Sequence, residues 1–314
     1  MTLTVGVDVG GTKIAGGVVD DDGEIVAKAR TESPATDRMA IADAIESLVG
    51  DLRASHDVEA VGVAAAGFVD ADRATVLFAP NLAWRDEPLR DELQDRVGLP
   101  VVIENDANAA AWGEFRYGAG EDVNDLLLVA LGTGVGGGIV LDGALLRGAF
   151  GVAGEIGHMC VVPDGRLCGC GNKGCWEMYS SGTALVEDTR DQVRRGSLIA
   201  RSMLDRAGGD VDAITGPLIT AAAREGDEFA IEQLANLGAW VGAGIASLAA
   251  VLDPAVAVLG GGVSEAGDLI LEPVRAGFRR ALTGRHYRPE LQIRQASLGN
   301  RAGVLGVADL ARRR

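Results

Sequence analysis

Leu3-Thr4-Val5-Gly6-Val7-Asp8-Val9-Gly10-Gly11-Thr12-Lys13-Ile14-Ala15-Gly16-Gly17-Val18-Val19-Asp20 opens the chain. Leu3, Val5, Val7 and Val9 alternate with Thr4, Gly6 and Asp8, which is the period of a strand. Gly10-Gly11 turns the chain, and Ile14 to Val19 reads as a second strand. Asp20-Asp21-Asp22-Gly23 is a further turn signal, and Glu24 to Ala29 a third strand. The reading is an antiparallel meander whose first connection is a glycine turn. The same unit returns later. Leu126 to Leu131 is a strand, Gly132-Thr133-Gly134 a turn, Gly136 to Leu141 a strand, and Asp142-Gly143 a hairpin turn. One shift sets Gly10 on Gly132, Gly16 on Gly138 and Asp20 on Asp142. A duplicated strand–turn–strand unit predicts two related lobes. A third glycine turn, Gly260-Gly261-Gly262, follows a buried strand from Ala255 to Leu259.

Between these units, Met39, Ala42, Ile45, Leu48, Val49 and Leu52 follow helical spacing behind Thr36 or Asp37 as a cap. Val61 to Ala65 and Val101 to Ile103 read as short buried strands. The second runs into Glu104-Asn105-Asp106 and an alanine-rich helix to about Glu114. Gly118-Ala119-Gly120 reads as a hinge. Leu234 to Leu252 is the longest uncharged stretch, but Gln233, Asn236 and Ser247 make it a buried helix stopped by Asp253-Pro254 rather than a membrane span.

The chain has 314 residues, 47% of them hydrophobic, enough for one large or two ordinary domains. The 45 glycines are about twice the usual share of roughly 7%. The net charge of −16 repels phosphate backbones and anionic lipid, which argues against nucleic-acid and membrane partners. Only Lys13, Lys28 and Lys173 are lysines, against 45 acidic residues. That balance suits a protein kept soluble in high salt, and equally an acidic enzyme in which arginine replaces lysine. No basic segment followed by an apolar run stands at the start, so a cytoplasmic protein is expected.

Two kinds of site stand out. Asp8-Val9-Gly10-Gly11-Thr12-Lys13, Gly132-Thr133-Gly134 and Gly260-Gly261-Gly262 each follow a buried strand. Phosphate needs convergent backbone N–H groups at close range, which glycine permits. Thr12 or Thr133 adds a hydroxyl, and Asp8 can hold Mg²⁺ directly or through water. A plain hairpin turn accounts for any one of these motifs alone. Neither of the first two is a Walker A loop, nor a Rossmann turn, since each leads into a strand. The second site is His158, Cys168, Cys170 and Cys175, one histidine and three cysteines, a closed tetrahedral zinc set. All four cysteines lie between Cys160 and Cys175, a clustering that points to a metal in a reducing compartment. Cys160 is a fifth candidate; the acidic neighbour Glu155 favours His158. Four protein ligands leave no open position, so this zinc would be structural.

Several motifs together resemble one family. Asp8 to Lys13, Glu104-Asn105-Asp106-Ala107-Asn108, Leu131 to Gly138, Gly154-Glu155-Ile156-Gly157-His158 and Cys168-Gly169-Cys170-Gly171-Asn172-Lys173-Gly174-Cys175-Trp176-Glu177 are similar, in order and spacing, to the ROK family (repressors, open reading frames and kinases). The resemblance runs from about residue 3 to the end. It implies an α/β, two-lobed, actin-like (ribonuclease H-like) sugar kinase fold with mixed sheets and an interlobe cleft for sugar and ATP. The lobes are expected at 1–120, completed by a C-terminal helix at about 300–314, and at 121–299, the larger one carrying the zinc loop. The resemblance further implies Asp106 as catalytic base, and Gly67, Asn105, Asp106, Glu155, His158 and Glu177 as the sugar set. His158 is also one of the zinc ligands in that pattern. ATP, Mg²⁺ and structural Zn²⁺ are the expected cofactors, and a dimer or tetramer the expected assembly. The expected reaction is transfer from ATP to the 6-hydroxyl of a hexose, glucose first, with fructose or N-acetylmannosamine as alternatives. A sugar-sensing repressor is the remote alternative. Such repressors carry a DNA-binding segment before the first glycine turn, where only about seven residues precede Asp8 here.

Overall fold

Alternation in the opening segment folds as read. A computed structural model describes residues 2–314. The first half runs β1 (Leu3–Val9), β2 (Lys13–Val19), β3 (Ile25–Glu32), α1 (Arg38–Arg53), β4 (Val58–Ala65), β5 (Phe68–Val69), β6 (Val76–Phe78), β7 (Arg85–Glu87), α2 (Leu89–Val97), β8 (Val101–Asn105) and α3 (Asp106–Tyr117). The second runs β9 (Leu126–Leu131), β10 (Val135–Leu141), β11 (Ala144–Leu145), α4 (Glu177–Ser180), α5 (Gly182–Arg194), α6 (Arg201–Arg206), α7 (Gly216–Arg224), α8 (Glu228–Leu252), β12 (Val256–Gly260), α9 (Asp268–Ala281), β13 (Gln292–Gln295) and α10 (Ala302–Arg312).

Two five-stranded sheets have the orders β3-β2-β1-β4-β8 and β11-β10-β9-β12-β13. Each therefore runs third, second, first, fourth, fifth in its own strand sequence, which gives the repeat seen in the sequence a common topology. In the first sheet β1 pairs antiparallel with β2 and β2 with β3, while β1–β4 and β4–β8 are parallel. In the second, β10–β11 is antiparallel and β12–β13 parallel. The β10–β11 turn is Asp142-Gly143, with φ of 50° and 72°. Two successive positive φ values make the tight turn that suits strand twist, and Asp-Gly tolerates them. A small sheet, β5-β6-β7, completes the strands.

The chain divides into two compact units. One holds residues up to Leu128, Gly137–Gly154 and Ser297–Arg314; the other holds Val129–Gly136 and Glu155–Ala296. The core of the first is built from Val5, Val7 and Val9 of β1, Ile41, Ile45 and Leu48 of α1, and Val61 and Val63 of β4. Asp37 caps α1, its carboxylate accepting from the N–H groups of Met39 and Ala40. In the second unit, α8 is long and apolar enough to cross a membrane by composition, yet 56% of its most apolar window is buried in the protein. Phe229, Leu234, Leu237, Val241, Ile245 and Leu248 form its inward side, so it is a core helix. It starts at Glu228, earlier than the uncharged stretch, because Asp227 accepts from the Ala230 N–H and caps it there.

On the first unit, α10 packs against α3, β1 and β4. Backbone meets backbone there. A Cβ on Gly6 would overlap the Val304 carbonyl, and one on Gly306 would overlap the Ala109 carbonyl. Gly306→Ala is expected to force the two helices apart, at a cost of about 1–3 kcal/mol from overpacking. Urea unfolding followed by circular dichroism measures it. An unshifted midpoint would mean that the helices do not meet this closely.

Candidate active site

In open sheets with parallel strands, functional groups gather at the carboxyl ends of those strands. The first unit follows that rule. Asp8 stands near the end of β1, Gly67 in the turn after β4, Asn105 at the end of β8 and Asp106 at the first position of α3. Asn105 caps α3, its Oδ1 accepting from the Asn108 N–H at 2.9 Å. Its Nδ2 donates to the Gly67 carbonyl at 3.0 Å, so Asn105 ties the two strand ends together. Gly67 is glycine for packing as well, since a Cβ would overlap the Phe78 carbonyl.

Asp106 Oδ1 accepts from the Ala107 N–H at 2.9 Å, which fixes the carboxylate against the helix start. A helix start favours the ionised form of a carboxylate. Burial outweighs it: desolvation pushes the Asp106 pKa above the ordinary carboxylate value, while the N–H groups pull it down. Asp8 is close enough to feel Asp106. Burial first, and then the Asp106 charge, push Asp8 from 3.8 up to about 6, with Lys13 pulling the other way.

The glycine turns divide by what the protein itself requires. Gly10, Gly11 and Gly132 lie outside the positive-φ region. A Cβ would meet nothing closer than 3.4 Å at Gly10 and 3.5 Å at Gly11, and nothing within 4 Å at Gly132. Neither backbone geometry nor packing demands glycine there, and the bare backbone leaves room for a ligand. Thr12 and Lys13 are exposed at the first turn. In the second unit, the Gly132 turn and the Gly260-Gly261-Gly262 turn come together. Gly261 has φ 81° and its Cα hydrogens face the Leu131 backbone, so that glycine is structural, whereas Gly262 is open. The Gly182 N–H at the start of α5 donates to the Gly132 carbonyl at 2.8 Å.

Glu177 links this region to the cysteine cluster. A Cβ on Gly134 would overlap Glu177 Oε2, and the Val135 N–H points at the same oxygen from 3.4 Å. The other oxygen, Oε1, lies 3.0 Å from Cys168 Sγ and 3.4 Å from His158 Nδ1. One ligand atom each from His158, Cys168, Cys170 and Cys175 lie within 4.8 Å of one another. Cys170 Sγ and Cys175 Sγ are 3.6 Å apart, and Cys168 Sγ and His158 Nδ1 3.7 Å. A zinc tetrahedron with bonds near 2.3 Å has edges of roughly 3.8 Å, so this donor set is compatible with a structural zinc. Cys160 is exposed and lies outside the set. The backbone forms the cage: the Gly171 N–H donates to the Cys168 carbonyl, and Cys160 bridges Cys175 as a β-pair. Trp176, wholly buried, anchors the loop on α8, where a Cβ at Gly244 would overlap its ring. With Nδ1 turned to the cysteines, His158 Nε2 faces Glu155 Oε2 at 4.0 Å.

Glu104 and Asn108 were quoted from the sequence only as members of the motif around Asp106, with no role of their own, and Arg73 and Arg147, which meet Glu104, were not singled out. Glu104 carried one signal, a carboxylate at the end of the apolar run Val101-Val102-Ile103.

The raised Asp8 pKa has a consequence for the ligand-free protein. The native carboxyl keeps its proton up to about pH 6, the unfolded one only to about 3.8. Folding takes up a proton between those values. The contribution to stability is full below the unfolded pKa and lost as pH rises through 6, leaving a penalty of up to about 3 kcal/mol. Asp8→Asn removes that penalty, so its urea midpoint is expected to rise relative to wild type between pH 4 and pH 8. A pH-independent difference would mean that Asp8 ionises unhindered.

The ROK family pattern matches residues 4–314. The chain is 49% identical to the glucokinase of Streptomyces coelicolor over 312 residues, 99% of this chain and 98% of that one. It is similar to the crystal structure of a ROK family glucokinase from Streptomyces griseus in complex with glucose and AMPPNP, at 53% identity and TM-score 0.89, covering 99% of this chain and 100% of the other. It is also similar to the ROK hexokinase of Thermus thermophilus, at 34% identity and TM-score 0.84, covering 99% and 98%. The fold is the two-lobed actin-like α/β fold of those kinases. The chain belongs to the ROK family.

Proposed function

We propose that this chain is a glucokinase, transferring the γ-phosphoryl group of ATP to the 6-hydroxyl of glucose. The observation that carries the reading is Asp106: a carboxylate of raised pKa, pinned at a helix start beside Asn105 and Gly67, where parallel strands end. Full-length likeness to proteins named glucokinase supports glucose as the acceptor.

Phosphoryl transfer is mainly positioning and charge stabilisation. Asp106 takes the proton of the attacking hydroxyl, and its raised pKa makes it the stronger base. The hexose set is Gly67, Asn105 and Asp106 with Glu155, His158 and Glu177. A sugar presents many hydroxyls, and these residues offer both donors and acceptors. His158 offers Nε2 to a hydroxyl because Nδ1 is committed to the cysteine cluster. The N–H groups of Gly10, Gly11 and Thr12, of Gly132, Thr133 and Gly134, and of Gly260, Gly261 and Gly262 serve the nucleotide, with the Thr12 and Thr133 hydroxyls and the Lys13 ammonium as further donors. Asp8, with no arginine partner among the described residues, suits Mg²⁺ directly or through water; that ion would neutralise charge on the phosphates when bound. Zn²⁺ on His158, Cys168, Cys170 and Cys175 supplies structure, fixing the loop that carries His158 and Glu177. The same reading makes it a cytoplasmic enzyme assembling as a dimer or tetramer, which light scattering reads directly.

A coupled assay across glucose, fructose, mannose and N-acetylmannosamine, at low and molar KCl, tests the substrate. Preference for another sugar would overturn glucose and keep the kinase; no turnover on any of them would overturn the kinase. Asp106→Asn is expected to fold, bind glucose and lose about 10²–10⁴ in kcat; retained turnover would remove Asp106 as the base. Cys168→Ser is expected to lose zinc and to unfold at lower urea, by metal analysis and denaturation. Full zinc content in that variant would exclude Cys168 as a ligand.

A further inference from the structure

Glu104 is the last wholly enclosed residue before the proposed base, with its side chain only 1% exposed. Its carboxylate collects four donors. Oε1 accepts from the Asn105 N–H at 3.1 Å and from Asn108 Nδ2 at 3.1 Å. Oε2 accepts from Arg147 Nε at 2.6 Å, and Arg73 Nε lies 3.5 Å away. The donors come from three separate segments. Asn105 and Asn108 belong to the start of α3. Arg73 stands in the turn between β5 and β6, at φ 53°. Arg147 opens the loop from 146 to 154, after β11. That loop is itself seated on the Arg73 turn, since a Cβ at Gly151 would overlap Asp70 and Val69.

A carboxylate taken out of water persists only if it is paired and hydrogen-bonded on both oxygens. Here both oxygens are used, and each use constrains something next to Asp106. Asn105, held through its N–H, is the cap that aims α3 and the link to Gly67. Asn108, held through Nδ2, offers its own N–H to that cap. Asp106 lies between them and is itself restrained by the adjacent N–H groups.

We infer that Glu104 is a positioning residue for phosphoryl transfer: gripped by Arg147 and Arg73, it holds Asn105 and Asn108 and thereby fixes the direction of the Asp106 carboxylate. The inference rests on the reading of Asp106 as the base. Glu104 touches neither sugar nor phosphate; it acts through its neighbours. The 146–154 loop becomes part of the catalytic apparatus through Arg147, although it carries none of the residues proposed to touch substrate in this unit.

Glu104→Gln tests this in the full chain. Oε1 keeps an equivalent acceptor, while Oε2 is replaced by an amide that cannot accept from Arg147. The variant is expected to lose at least about tenfold in kcat per folded molecule, with a smaller change in KM for glucose and no loss of zinc. Hydrogen exchange by mass spectrometry is expected to show faster exchange confined to the amides of 105–109. Arg147→Met, which leaves the Asn105 and Asn108 bonds in place, should reproduce both effects. Normal kcat in folded Glu104→Gln, or faster exchange spread through the whole unit with unchanged kcat per folded molecule, overturns the inference and makes Glu104 structural only. Asp106→Asn run beside them separates the two claims. If that variant is active, the base reading fails; if it is inactive while Glu104→Gln is active, only the positioning role fails.

Discussion

Contact between backbones, with no side chain between, governs the first unit. Helix α10 reaches β1 at Gly6 and α3 at Gly306, where any Cβ would strike a carbonyl. Only glycine permits that approach, and the approach brings the C-terminal segment into the unit that begins with β1. With α10 lying on β1 and β4 and α3 packed on α10, the first turn of α3 has a fixed place relative to β4 and β8. The close approach thus sets where Asp106 stands, while the hydrogen bonds around Asn105 set how it points. Asp309 adds a polar lock on the same helix: buried, it accepts from Trp112 Nε1 and the Tyr117 hydroxyl, each at 2.8 Å, so α3 is held along its length as well as at its start.

Charge is distributed unevenly among the carboxylates of this unit, and the unevenness separates their roles. Glu104 has two arginines and two further donors. Glu114, wholly buried at the far end of α3, accepts from the N–H groups of Ala119, Ser297 and Leu298. Both are satisfied by the protein. Asp8 and Asp106 have no arginine partner among the described residues: Lys13 is the cation that acts on Asp8, and Asp106 has the N–H groups of its own helix start. In a chain with 29 basic residues, leaving two neighbouring buried carboxylates without an arginine is costly, and the cost falls where a cation and a transferred proton would relieve it.

Much of this was legible in the sequence, and the reasons are local. Period-two alternation marked β1, a short apolar run before a glycine turn marked β9, Asp-Gly marked the β10–β11 turn, and Thr36 or Asp37 marked the start of α1, because each signal is confined to a few adjacent residues. The four donors of the cysteine cluster were legible by residue type. What escaped was non-local or too short. Strands β5, β6 and β7 have two or three residues each, fewer than any periodicity needs. Arg73 and Arg147 meet at Glu104 across 31 and 43 positions of chain, and nothing in either neighbourhood announces it. Asp106 was named through the family resemblance, and only the surrounding protein reveals that burial outweighs the pull of the helix start on its carboxyl. Gly118-Ala119-Gly120 read as a hinge from composition; in the structure the Glu114 carboxylate and carbonyl tie it to the helix end.

The second unit solves a different problem with the same economy of side chains. Residues 158–175 are rich in glycine and supply few apolar side chains, so burial alone holds such a loop poorly. One wholly buried Trp176 fastens it to α8, and four donors close it on itself. The donor geometry also imposes a direction. Because Nδ1 of His158 turns to the cysteines, Nε2 must face away, toward Glu155. Glu177, the next residue after the tryptophan, then spans the distance from that cluster to the Gly132–Gly134 turn, with one oxygen at each end. Gly134 is bare because Glu177 occupies the space a side chain would fill. A loop that began as a folding difficulty is thereby coupled, through one carboxylate, to a glycine turn at the end of β9, and the ordering of the one is a condition for the shape of the other.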